Sequence, residues 1–131
     1  MPIRIHSVHT FDEQPLEPYR TLKRPLEHRE RGFFIAEGEK VVRRLLDSRL
    51  RVLSLLLTQE WFESCRPSLE TRQESIDVYI ANKALMETIV GFHLHNGIMA
   101  MAGIPAGMDV VSIAARSSKP LFFVALDGIM N

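Results

Sequence analysis

Cysteine is almost missing from this chain. Cys65 stands alone among 131 residues, which excludes an internal disulfide framework and any multi-cysteine zinc site. Long hydrophobic runs are missing too. No stretch approaches the roughly 18 consecutive apolar residues of a membrane-spanning helix, and Met1-Pro2-Ile3-Arg4 does not lead into the apolar core of a secretory signal. The expectation is a cytoplasmic protein with no membrane partner. Neither a Walker A loop, a Rossmann glycine pattern, HExxH nor GxSxG occurs. Net charge is absent as well, with 16 Lys+Arg against 16 Asp+Glu, and a neutral total argues against a phosphate-rich partner.

What is present divides unevenly. With 24% charged and 46% hydrophobic residues, the composition suits one globular domain, with or without appendages. Residues 20–51 hold ten basic side chains against five acidic ones, a surplus of five positive charges. Residues 52–131 carry five against eight, and the first nineteen carry one against three, so the zero sum hides a basic block and an acidic remainder. Such asymmetry points to a polar partner for one part of the chain, or to a solvated helical face.

Residues 1–15 show no sustained period and read as an irregular arm. Tyr19, Leu22 and Leu26 recur at helical spacing over 16–31, predicting a helix kinked or stopped near Pro25. Phe33-Phe34-Ile35-Ala36 has strand length and composition. From Lys40 the period becomes helical: Val41, Val42, Leu45 and Leu46 share one face, and Lys40, Arg43, Arg44 and Asp47 the opposite one. Val52–Thr58 reads as a strand covered on both sides. A short helix over 59–65 and a polar loop over 66–75 follow. Ile76–Ile80 alternates as a half-buried strand, Asn82 caps a helix through Val90 that Gly91 ends, and Gly97–Ile104 is a further strand. Strands alternating with helices over 16–105 predict an α/β sandwich with a parallel or mixed sheet. Residues 106–120 read as a linker, and Leu121–Leu126 as a buried-type strand with nothing after it to complete a layer.

Three segments carry a resemblance. Arg31-Gly32-Phe33-Phe34-Ile35-Ala36-Glu37-Gly38-Glu39-Lys40-Val41-Val42, Val90-Gly91-Phe92-His93-Leu94-His95-Asn96-Gly97-Ile98-Met99-Ala100 and Leu126-Asp127-Gly128-Ile129-Met130-Asn131 together resemble the SpoU/TrmH family of RNA ribose 2′-O-methyltransferases, in the SPOUT class. The first two resemble the opening strand-to-helix junction and the last helix and strand of that family's N-terminal substrate-binding domain. The third resembles the start of its first catalytic motif. The resemblance covers residues 16–131. It implies a three-layer α-β-α sandwich over 16–105 like the kink-turn-binding ribosomal protein fold, an RNA substrate (ribosomal or transfer RNA), and 121–131 as the first strand of a knotted catalytic domain. In the complete enzyme it further implies S-adenosylmethionine as cofactor and a homodimer. Neither cofactor nor metal is expected on the 131 residues themselves, and methyl transfer by this chain alone is not expected either.

Within that frame the helix opening at Gly38 is the leading candidate site. A helix N-terminus presents free N–H groups, and a glycine lets a nucleic-acid backbone come close. Glu37, Gly38, Lys40, Arg43 and Arg44 therefore head the RNA-contact candidates. Arg20, Lys23, Arg24, Arg29 and Arg31 could extend a phosphate-tracking surface or pair locally with Glu27 and Glu30. His95 and Asn96 are candidates from the loop before the last strand, whereas His93 and His95 lack a nearby third ligand for a metal. Phe33, Phe34, Trp61 and Phe92 read as core, and Cys65 as structural. Asp127 and Asn131 hold catalytic-motif positions with no site around them. Rival readings are a stand-alone ribosomal-type RNA-binding protein and a protein-interaction α/β module.

Overall fold

Apolar strands without a polar face, of which Val52–Leu57 is the clearest, need cover on both sides, and the chain supplies it. In the computed structural model, which describes residues 3–130, the order is β1 (Ile3–Ser7), a 3-10 turn (Gln14–Leu16), α1 (Glu17–Arg20), α2 (Pro25–Glu30), β2 (Phe33–Glu37), α3 (Glu39–Asp47), β3 (Val52–Leu57), α4 (Gln59–Glu70), β4 (Ile76–Ile80), α5 (Lys83–Val90), β5 (Ile98–Gly103) and α6 (Val110–Arg116). The five strands form one mixed sheet in the order β1-β4-β3-β5-β2. β1, β4 and β3 are parallel, and β5 runs antiparallel to both β3 and β2.

The two-residue period of the strands sorts their side chains between two cores. Leu55, Leu57, Val78, Ile98, Ala100 and Ala102 pack with Val42, Leu45 and Leu46 of α3 and Phe62, Cys65 and Leu69 of α4. Leu56, Tyr79 and Met99 face the other way, onto Leu16, Tyr19, Leu94 and the α5 residues Met86, Ile89 and Val90. A bulge at Leu53 shifts the pairing from Val52↔Ala102 to Ser54↔Met101. That single extra residue turns Val52 into the α3/α4 core and leaves buried Ser54 to share a 2.7 Å hydrogen bond with the Tyr19 hydroxyl.

Several expectations are corrected. The first fifteen residues are not all irregular, because Ile3–Ser7 adds a parallel edge strand to β4, tied by a two-bond Arg4–Asp77 pair at 2.8 Å. The predicted helix over 16–31 is two helices, with Pro25 opening the second, where its missing N–H costs nothing. The first half of the expected loop over 66–75 is helix: α4 continues through Pro67 to Glu70. An interior proline costs about 3 kcal/mol, but burying Leu69 beyond it returns roughly 1.5–3 kcal/mol, and the Arg66–Glu70 pair spans the same turn. Val41, expected on the buried face of α3, is half exposed, and Phe92, expected in the core, stands partly in solvent. The 106–120 stretch contains a helix, α6, whose N-cap Asp109 accepts the Ser112 N–H at 2.6 Å.

Leu121–Leu126 forms no strand. Every residue from 121 to 130 is exposed, Phe122 at 91%, because a strand needs a hydrogen-bonded neighbour and these residues have none among those described. Asn131 of the catalytic-motif candidate lies outside the described residues, as do Met1 and Pro2 of the arm.

Candidate nucleic-acid interface

Topology gathers three helix starts at one edge of the sheet. β2 runs through Gly38 into α3, β3 through Thr58 into α4, and β4 through Ala81-Asn82 into α5, while antiparallel β5 begins at that same edge, where Ile98 lies opposite Leu57. Crevices beyond the carboxyl ends of parallel strands are the usual place for ligands in such sheets. Two of the three helices cap themselves: Thr58 Oγ1 accepts the Trp61 N–H at 3.4 Å and Asn82 Oδ1 the Leu85 N–H at 2.8 Å.

The third start, that of α3, has no side chain of its own to cap it. Gly38 adopts φ 89° and ψ 158°, a conformation open to glycine and strained for other residues, and its N–H donates to the Ile98 carbonyl at 3.0 Å. The nearest acceptor for the freed Glu39 N–H is Asn96 Oδ1, 3.5 Å away and 57 positions later in the chain. A hollow of about 340 Å³ results, lined by Glu37, Gly38, Glu39, Lys40, Val41, His95 and Asn96. The structure thus brings together Glu37, Gly38, Lys40, His95 and Asn96, candidates drawn from two distant segments.

The loop that delivers His95 and Asn96 is held by a residue the sequence reading passed over. Glu87 Oε2 accepts the Leu94 N–H at 2.8 Å and pairs with His93 Nδ1 at 2.9 Å; these partners, the backbone N–H foremost, hold its carboxyl below the usual range. Leu94 is buried, and the Gly97 carbonyl accepts the Thr58 N–H at 3.0 Å. The loop is therefore fastened at both ends.

The basic candidates separate by what already occupies them. Lys40 and Arg44 are exposed on α3 and form no ion pair among the described residues. Arg43 instead pairs with Glu39 at 3.0 Å and donates to Ser64 on α4 at 2.8 Å; the Glu39 hydrogen bond raises its pKa. Arg20 donates to the carbonyls of Phe11 (2.9 Å) and Glu13 (2.7 Å), pinning the segment after β1. Arg31 pairs with Glu17 at 3.0 Å and lies over the Phe33 ring, and Arg24 sits 3.7 Å from Glu27. Lys23 and Arg29, exposed, flank a hollow of about 500 Å³ beside the outer edge of β2; Glu37 lines both this hollow and the one at α3.

Asp127 lies in the exposed tail and lines neither of these hollows. No group of three or more His, Cys, Asp or Glu side chains suited to a metal occurs among the described residues, and none of their helices is long and apolar enough to cross a membrane. Buried Cys65, its thiol pKa raised by desolvation, is a core residue.

Over 108 residues, 79% of its length, the chain is 31% identical to an uncharacterized tRNA/rRNA methyltransferase of Mycobacterium tuberculosis. It resembles part of an RNA methyltransferase. The matched part is 37% of that relative. Two solved structures of an rRNA methyltransferase from Sinorhizobium meliloti share the fold. The AdoMet-bound one superposes with a TM-score of 0.59 at 17% identity, covering 79% of this chain and 38% of that one. The other gives 0.57 at 16%, covering 82% and 39%. The chain thus spans less than two fifths of each relative. No protein-family model matches it.

Proposed function

We propose that this chain is the RNA-recognition part of a SpoU/TrmH-like ribose 2′-O-methyltransferase, built on a sandwich like the kink-turn-binding ribosomal proteins. The observation that carries the reading is the hollow at the start of α3, where a helix end with no cap of its own, a left-handed glycine and the remote pair His95-Asn96 meet beside exposed Lys40, with exposed Arg44 one turn further along α3. The α3 N-terminus and these two cations attract phosphate, Gly38 leaves room for a sugar-phosphate backbone, and His95 and Asn96 offer hydrogen bonds to a base or ribose. The similarity to tRNA/rRNA methyltransferases supports it further.

Catalysis belongs to the remaining three fifths of such an enzyme. A ribose hydroxyl is a poor nucleophile at neutral pH and needs a positioned base or charge stabiliser. S-adenosylmethionine would supply the methyl group, but the described residues do not fit it: Leu126–Met130, where the catalytic motif would begin, are all exposed and enclose nothing. The chain by itself binds RNA and transfers no methyl group.

The test is the salt dependence of binding to a single-stranded RNA oligonucleotide. Each phosphate neutralised contributes a log–log slope of about −0.7. Replacing Lys40 and Arg44 together with Ala should flatten the slope by about 1.4, twice that increment. Arg43→Ala should change it less, since Arg43 is engaged with Glu39 and Ser64. A slope indifferent to Lys40 and Arg44, or RNA methylation by the chain alone, overturns the proposal.

A further inference from the structure

A second hollow, about 660 Å³, opens between the starts of α4 and α5 and adjoins the α3 site through His95 and Asn96, which line both. Its volume falls within the roughly 300–1,000 Å³ of small-molecule sites. Val8, Ile80 and Ala81 supply apolar lining and Trp61 an aromatic wall. The rim carries amides and an imidazole (Gln59, Asn82, Asn96, His95), with one cation, Lys83, set against one carboxylate, Glu60. Gly97 makes the enclosure possible: a Cβ there would lie 2.8 Å from Thr58 Cγ2 and 3.7 Å from Trp61 Cδ1, so the loop backbone packs directly on the start of α4.

The lining selects a chemical class. Balanced charge disfavours a free polyanion, and among the described residues no cluster of metal-binding side chains exists. An aromatic wall with hydrogen-bonding groups around it suits a flat, uncharged heterocycle, and a single rim cation suits one adjoining phosphate. We infer that this hollow holds one unpaired RNA base stacked on Trp61, with Lys83 on its phosphate, while the flanking strand runs over the start of α3. The inference rests on the RNA-binding reading above and sharpens it: the chain prefers RNA with an extruded or single-stranded nucleotide, because a base inside a helix cannot reach the wall.

Trp61 is the sole tryptophan and is partly buried, one side against the α3/α4 core, so its emission reports on this wall of the hollow and on no other aromatic site of the chain. The probes are oligouridylate, whose bases stack weakly on one another, and the same strand annealed to oligoadenylate. Binding is followed by anisotropy of fluorescein-labelled RNA and, with unlabelled RNA, by Trp61 emission. Oligouridylate should change the emission with the same midpoint as the anisotropy, and the duplex should bind without that change. Trp61→Leu should weaken oligouridylate binding about 10-fold, within the range for one lost base–aromatic stack, and leave duplex binding unaltered. Should that variant fold poorly, Lys83→Ala, at an exposed rim position, should weaken oligouridylate binding about threefold more than duplex binding. Anisotropic binding with unchanged Trp61 emission, or equal losses on both RNAs, overturns the base pocket and leaves the RNA-binding reading standing. Absence of binding to either RNA overturns both.

Discussion

Gly97→Ala tests the packing that shapes the candidate interface. The added methyl would sit 2.8 Å from Thr58 Cγ2, closer than real Cβ atoms come, with Met86 Sδ and Trp61 Cδ1 each at 3.7 Å. Rotating Thr58 away is not free, because its β-branched side chain is stiff and its Oγ1 caps the Trp61 N–H at 3.4 Å. Shifting the loop instead strains the 3.0 Å bond from the Thr58 N–H to the Gly97 carbonyl. Overpacking of this kind costs about 1–3 kcal/mol. Thr58→Ser keeps the capping hydroxyl and deletes the colliding methyl, at about 0.8 kcal/mol for one lost buried carbon. In the double variant the collision is gone, so its destabilisation should fall below the sum of the singles by at least about 1 kcal/mol, a coupling typical of touching residues. Urea denaturation of the four chains, followed by far-UV circular dichroism, measures this. Strict additivity, or a Gly97→Ala chain within about 0.5 kcal/mol of the parent, the ordinary surface-substitution range, refutes the reasoning.

Other expectations follow from single features. The Arg4 and His6 hydrogen bonds hold the Asp77 carboxyl down at about 2, so the stability they provide is complete above the ordinary carboxylate range and is lost as pH falls through about 2; in acid titrations Asp77→Asn should flatten that limb. Burial lowers the pKa of His28, whose Nε2 lies 2.8 Å from Thr21 Oγ1. The unfolded chain therefore takes its proton first, and stability should decline as pH drops below 6.5, a dependence that His28→Gln removes from urea midpoints. Arg72 donates to the carbonyls of Leu46, Ser48 and Leu50 and pairs with Glu74, which takes the Val52 N–H; Arg72→Met should cost about 3 kcal/mol in urea unfolding. Glu87→Gln should weaken RNA binding in anisotropy titrations and lower the melting temperature modestly, since it loosens the 93–96 loop together with Leu94, which packs in the α5-side core. Deleting residues 121–131 should lower self-association in sedimentation velocity, because exposed Phe122, Val124 and Leu126 form an unpaired apolar run; equal association with and without them refutes this.

Local chemistry made much of the fold readable. An unbroken apolar run marked β3 and two-residue alternation marked β4, the Asn82 cap and the Gly91 terminator bounded α5, and the Phe33–Ala36 run placed β2 nearly to the residue. Failures came where a distant partner overrode a local signal. Ile3–Ser7 reads as irregular until β4 offers it an edge, and α4 crosses Pro67 because Leu69 has a core to enter. Leu121–Leu126 fails in the opposite direction, having strand composition and no hydrogen-bonded neighbour among the described residues.

The candidate site shows the same division. The basic block, the glycine before α3 and the polar His95-Asn96 loop are properties of the sequence, legible because charge, backbone freedom and hydrogen-bonding capacity belong to individual residues. Which cations remain free is not such a property: Arg20 and Arg31 are spent on backbone and carboxylate partners that only folding brings near, and Arg43 on Ser64 of α4 besides its helical neighbour Glu39, whereas Lys40 and Arg44 form no ion pair among the described residues. Nor could spacing place Asn96 at the start of α3, or set Trp61 and Lys83 around the neighbouring hollow. Those meetings depend on antiparallel β5 beginning where β2, β3 and β4 end, and strand order is decided by burying the side chains of both faces of the sheet at once.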